Sequence, residues 1–143
     1  LIAVDTNILV YAHREESAFH EKAFASLKLL ADGDDFWAIP WPCIHEFIST
    51  VTNLRVYKPS SSVRLALDQI EELMQSPTLR IIGESAGYWP VLKKIVDQGQ
   101  IVGGKVHDAR IAAICVHHGV TELWTSDRDF SRIPAIRTRN PVI

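Results

Sequence analysis

The residues of this 143-residue chain best placed to do chemistry are carboxylates in settings where a solvated acid is unusual. Asp5 lies between the apolar runs Ile2-Ala3-Val4 and Ile8-Leu9-Val10, with only Thr6 and Asn7 as polar neighbours. It can cap the helix that follows, serve as a ligand, or do both. Asp108 is more pointed. Its i+3, i+4 and i+7 positions are Ile111, Ala112 and Cys115, which puts it on the apolar face of a helix. The helix dipole favours an acid in the first turn, but that does not explain the choice of face. Asp127 and Asp129 follow Leu123-Trp124-Thr125 among ordinary turn residues, and neither would stand out alone. Glu46 sits on the flank of the Ile44, Phe47, Ile48, Val51 stripe and reads by spacing as a solvated helix glutamate.

Carboxylates gathered in one place repel one another and raise their own pKa values unless a cation sits among them. Hard oxygen donors select Mg²⁺ or Mn²⁺ over Zn²⁺. Two such ions ~3.5–4 Å apart stabilise both the attacking and the leaving oxygen of a phosphoryl displacement. Competing chemistries are weakly represented. There is no Gly-x-Ser-x-Gly elbow, and Gly103-Gly104-Lys105 lacks the spacing of a phosphate loop. Among the six histidines, His117-His118 suits a helix C-terminus, and His13, His20 and His45 are expected on the surface or a helix flank. His107 points to a different side of its helix from Asp108. Two cysteines, Cys43 and Cys115, are too few for a disulfide scaffold.

The elements that must position these acids follow from periodicity. Strands are expected at 1–4, 36–39, 79–82 and 122–125, with a short fifth at 136–138. Helices are expected at about 7–13 and 18–31, after Pro42, over 63–74, over 89–96 and from 107 to 118, the last closed by Gly119. Strands alternating with helices predict an α/β sandwich, a central, largely parallel sheet of four to five strands flanked by helices. Ligands bind such sheets at the carboxyl ends of the strands, where Asp5 and Asp127 fall. Trp37, Trp41, Trp89 and Trp124 are expected mainly in the core. The stripe Val63, Leu67, Ile70, Met74 is expected to pack in the core, or else to help form a groove for a partner helix.

Hydrophobic residues make up 47% and charged residues 22%, which excludes a disordered tail or a coiled coil. No apolar run reaches the roughly 20 residues of a bilayer span, and the opening residues lack the charged and apolar regions of a secretion signal, so none is expected. The expectation is one soluble, cytoplasmic domain over residues 1–143, without a membrane partner. The net charge of −2 argues against a non-specific nucleic-acid coat. Charge is uneven, however: residues 1–92 carry seven Lys/Arg against twelve Asp/Glu, residues 93–143 eight against five. A polyanion would therefore meet the C-terminal third. Arg128, Arg132, Arg137, Arg139, Lys93 and Lys94 are candidates for phosphate contacts, and Arg110 for an ion pair.

Asp5-Thr6-Asn7 after the first strand, His45-Glu46-Phe47, Asp108-Ala109-Arg110-Ile111-Ala112-Ala113 and Thr125-Ser126-Asp127-Arg128-Asp129-Phe130 together resemble the PIN domains. More narrowly, they resemble the VapC toxins of bacterial toxin–antitoxin pairs. The likeness covers essentially the whole chain, with the motifs in the right order. It implies a PIN-like three-layer sandwich in which Asp5, Glu46, Asp108 and Asp127 hold one or two Mg²⁺ or Mn²⁺ ions. It makes Asp129 an auxiliary acid and Thr125 a polar support, with Thr6 and Asn7 beside them. It also implies an endoribonuclease acting on tRNA, rRNA or mRNA, a homodimer, and a VapB-type antitoxin that blocks the site, in a larger complex if need be. Water would attack the phosphodiester in line and leave a 5′-phosphate. Two alternatives stay open: a phosphatase of the haloacid dehalogenase type, which would want a second Asp where Asn7 stands, and a non-catalytic module on the same fold.

Overall fold

The computed structural model describes all residues, Leu1–Ile143. Strand β1 (Ile2–Val4) leads through α1 (Thr6–His13) and α2 (His20–Asp32) to β2 (Trp37–Pro40). Helices α3 (Trp41–Val51) and α4 (Val63–Met74) then precede β3 (Leu79–Ile82). Helix α5 (Tyr88–Gly99), a 3₁₀ turn (Gly103–Lys105) and α6 (Val106–His117) return the chain to β4 (Glu122–Trp124). A second 3₁₀ turn (Arg128–Arg132) and β5 (Thr138–Arg139) follow.

All pairings in the sheet are parallel, in the order β3-β2-β1-β4-β5. Right-handed crossovers place α1–α4 over one face and α5 and α6 over the other. The helix contacts agree: α1 packs on α2 and α3, α3 on α4, and α5 on α6. Strand order reverses between β1 and β4, so a crevice opens at their carboxyl ends.

Local chemistry accounts for the helix boundaries. Asp5 is the N-cap of α1 and its carboxylate accepts from the Thr6 N–H. Ser62 caps α4 by accepting from the Leu65 N–H at 3.1 Å. Gly119 follows α6 at φ +74, the left-handed conformation that suits a residue without Cβ. Pro40 closes β2 and also caps α3, so the strand runs one residue past its expected end. The fifth strand begins at Thr138 rather than residue 136, because Ile136 is still turned back onto Ile133.

Several expectations about burial need correction. Trp37 and Trp124 are core, but Trp41 is partly exposed and Trp89 is 64% exposed. In α4 only Ala66 and Ile70 are buried, leaving Val63, Leu67 and Met74 on the surface. His13 and His20, by contrast, stand half-buried at helix ends, in keeping with a flank position. His13 bonds Ser61 Oγ at 2.8 Å and Gln69 at 3.2 Å, and His20 bonds the Tyr11 carbonyl at 3.0 Å. No helix is long and apolar enough to cross a membrane.

Candidate active site

A cleft of about 300 Å³ at the β1–β4 switch point is lined by Asp5, Thr6, Asn7, Glu46, Asp108 and Asp127. Tyr11, Tyr57 and Ile111 form part of its apolar wall. Four acids far apart in sequence thus share one concavity, each delivered by a different part of the fold.

Asp5 is held hardest. Only 4% of it is exposed, and both its oxygens accept hydrogen bonds. Oδ1 accepts from the Thr6 N–H at 2.8 Å and, more weakly, from the Cys43 thiol at 3.5 Å. Oδ2 accepts from the Thr125 hydroxyl at 2.7 Å and the Asn7 amide at 3.2 Å. Burial outweighs these donors and pushes the carboxyl up to about 6. The Thr125 hydroxyl in turn accepts from Asn7 Nδ2 and the Asp127 N–H, so β1, α1 and the segment after β4 are tied at one oxygen. Asn7 adds a second tie by accepting from the Ser126 N–H at 3.1 Å.

Glu46 is exposed, as its spacing in the sequence indicates, but Thr6 donates to its Oε2 at 3.0 Å and fixes it at the rim of the cleft. Asp108 sits in the first turn of α6, with Ile111, Ala112 and Cys115 of the same face buried beneath it. Its carboxyl is raised by burial and by the charges of Asp127 and Asp129. Oxygens of Asp108, Asp127 and Asp129 lie within 4.8 Å of one another. Asp5 and Glu46 face that trio across the cleft without belonging to it, whereas Asp129 is a full member.

Such an oxygen-only set fits a hard divalent cation. It gathers negative charge with one neighbouring ammonium, Lys105 on Asp129, as the only ion pair within it.

The sequence family described as the PIN domain matches residues 2–136 of this chain. The chain belongs to the PIN domain family. Ribonuclease VapC48 of Mycobacterium tuberculosis is 31% identical to this PIN domain over 137 residues, 96% of this chain and 94% of that one. Ribonuclease VapC43 of the same organism is 29% identical over 142 residues, 99% and 96% of the two chains. Among solved structures, VapBC2 from Rickettsia felis bound to a DNA fragment from its promoter superposes with a TM-score of 0.71 at 22% identity, covering 97% of each chain. VapC20 of Mycobacterium tuberculosis, a Sarcin-Ricin loop cleaving toxin, gives 0.68 at 18% identity over 98% and 100%. These likenesses fit the PIN-like sandwich and leave no place for a haloacid dehalogenase fold.

The basic candidates are scattered. Arg132 lines a smaller cleft that adjoins the acids through Asp108 and Asp129, and Arg128 is exposed just after Asp127. Lys93 lies instead in a groove with Trp89 and Val102, and Lys94 lines neither acidic cleft. Arg110 pairs with Glu84 at 2.8 Å. Sequence reasoning missed Cys43, although it stands three residues before Glu46 on the same helix face. It also missed Tyr11 and Tyr57 as cleft walls, and Lys105.

Proposed function

We propose that this PIN domain is the toxin of a VapBC-type pair, a Mg²⁺- or Mn²⁺-dependent endoribonuclease restrained by a VapB-type antitoxin. The observation that carries the reading is the convergence of Asp5, Glu46, Asp108 and Asp127 on one cleft at the switch point of the sheet. Relatives named as ribonucleases across nearly the whole chain support it.

Asp108, Asp127 and Asp129, with Asp5 and Glu46 opposite, would hold the cation. When bound, such an ion lowers the pKa of water and offsets charge that builds on the phosphate oxygens. The chain's own part is positioning. Thr6 N–H, Thr125 and Asn7 hold the Asp5 carboxylate in one orientation, and the Thr6 hydroxyl sets Glu46. Asp127 is held through its own N–H by Thr125, and its Oδ1 accepts from the Asp129 N–H at 2.8 Å. Arg128 and Arg132 would meet phosphates beside the cleft. The exposed Val63, Leu67 and Met74 of α4 supply an apolar surface for the antitoxin. A homodimer and a cytoplasmic location complete the reading.

The test is digestion of total cellular RNA by purified, antitoxin-free protein, with cut ends mapped by sequencing. Discrete 5′-phosphate ends are expected with Mg²⁺ or Mn²⁺. They should vanish with chelator and in Asp108→Asn. RNA left intact under every metal condition, with no Mn²⁺ bound at millimolar concentration, would make the chain a non-catalytic module.

A further inference from the structure

The ammonium of Lys105 pairs with Asp129 Oδ2, inside the carboxylate trio. Two features make this pair more than a surface accident. Lys105 has helical backbone angles and closes the 3₁₀ turn that runs straight into α6, so it sits in the first turn of that helical run, where the dipole disfavours a cation. Its side chain makes no capping bond there, so Asp129 is the group that holds it. That turn opens on Gly103 at φ +59, a conformation open to a residue without Cβ, and ends on Lys105 beside Asp108 and Asp129 in the smaller cleft.

The acid is equally fixed. Asp129 lies in the 3₁₀ turn capped by the Asp127 carboxylate, so its backbone is set by another member of the trio. Asp108, one turn along α6 from Lys105, is not the acid the lysine pairs with. Lys105 also lines the smaller cleft beyond Asp108 and Asp129, which gives the ammonium room to leave without entering the catalytic groove.

We propose that Lys105 is a tethered cation that competes with a divalent ion for Asp129, so that this carboxylate joins the metal site only when the lysine leaves it. The inference rests on the metal-dependent reading of the cleft and assigns Lys105 as a positioning residue within it. Both side chains are about half exposed, 45% for Lys105 and 47% for Asp129, so exchange between lysine and ion is open to solvent.

Mn²⁺ binding to the full chain, followed by calorimetry and by the resonance signal of free Mn²⁺ without RNA, tests this directly. Lys105→Met should bind Mn²⁺ about three- to tenfold tighter than wild type, or bind one ion more. Lys105→Arg, which keeps the charge, should match wild type. Adding Asp129→Asn to Lys105→Met should erase the gain. Lys105→Gln gives the same reading should the methionine variant fail to fold. Equal affinity and ion number in wild type and Lys105→Met would overturn the lysine's role while leaving the metal site standing, as would a gain that survives Asp129→Asn. Absence of Mn²⁺ binding in every protein would overturn both the lysine's role and the metal reading.

Discussion

The Thr125 hydroxyl donates to Oδ2 of Asp5 across 2.7 Å, and this bond joins the end of β4 to the end of β1. The same oxygen accepts from Asn7 and from the Asp127 N–H. One hydroxyl therefore sets the orientation of one acid and the backbone of another.

Replacing Thr125 by Val keeps the shape and removes all three bonds. Loss of a buried, charge-assisted bond costs about 1–3 kcal/mol, so Thr125→Val should unfold at lower denaturant and cleave RNA about tenfold or more slowly. Thr125→Ser should recover most of both. Urea melts and initial cleavage rates check it; an unchanged rate in Thr125→Val would remove Thr125 from the site.

Asp108→Asn should lower the cleavage rate at least about a hundredfold with little change in stability, because the residue is only partly buried. Asp5→Asn should lose activity as well, but with a stability penalty, since an amide cannot accept from all the donors that face the carboxylate. Circular dichroism melts alongside rates separate the two outcomes.

Asp5 also predicts a pH signature in metal-free protein. Its carboxyl rises from 3.8 to about 6 on folding, chiefly through burial. A raised acid pKa means that the native state holds the proton more tightly. Asp5 therefore leaves stability untouched at low pH and subtracts from it as pH climbs from about 4 to 6. The full loss is on the order of 3 kcal/mol, constant above that window. Burial and the neighbouring Asp127 and Asp129 charges give Asp108 the same sign. Unfolding free energies in chelator should show Asp5→Asn gaining on wild type between pH 4 and 6; parallel curves would contradict it.

Mn²⁺ at about a hundred times its dissociation constant should raise stability by about 2.7 kcal/mol if the ion binds only the folded chain. Thermal melts with and without Mn²⁺ should show the shift in wild type and lose most of it in Asp108→Asn.

Gly119→Ala should cost about 1 kcal/mol and leave cleavage unchanged. Its φ of +74 penalises a Cβ, while no atom lies close enough to clash with one. A melt and one rate measurement suffice.

Much of the site was legible because burial leaves a mark on sequence. Asp5 and Asp108 announce themselves by apolar neighbours in the strand-turn and helical periods, and the parallel sheet follows from the alternation of elements. Glu46 carries no such mark. What makes it part of the cleft is a hydroxyl on another helix, Thr6, and spacing within α3 says nothing about what faces it. Lys105 was hidden for the same reason, since its partner sits in a turn beyond β4. The tryptophans mislead differently: residue type alone cannot tell the buried Trp37 from the exposed Trp89.

The Asp5–Thr125 bond spans 120 residues of chain, and the Asn7–Ser126 bond 119. At a synthesis rate of about 5–20 residues per second, Asp5 exists for roughly 6–24 s before Thr125 is made. At the end of that interval the newborn chain has every cleft-lining residue but Asp127, and still lacks the hydroxyl that orients Asp5. A ribosome thus completes nearly the whole domain before the fourth acid of the cleft exists.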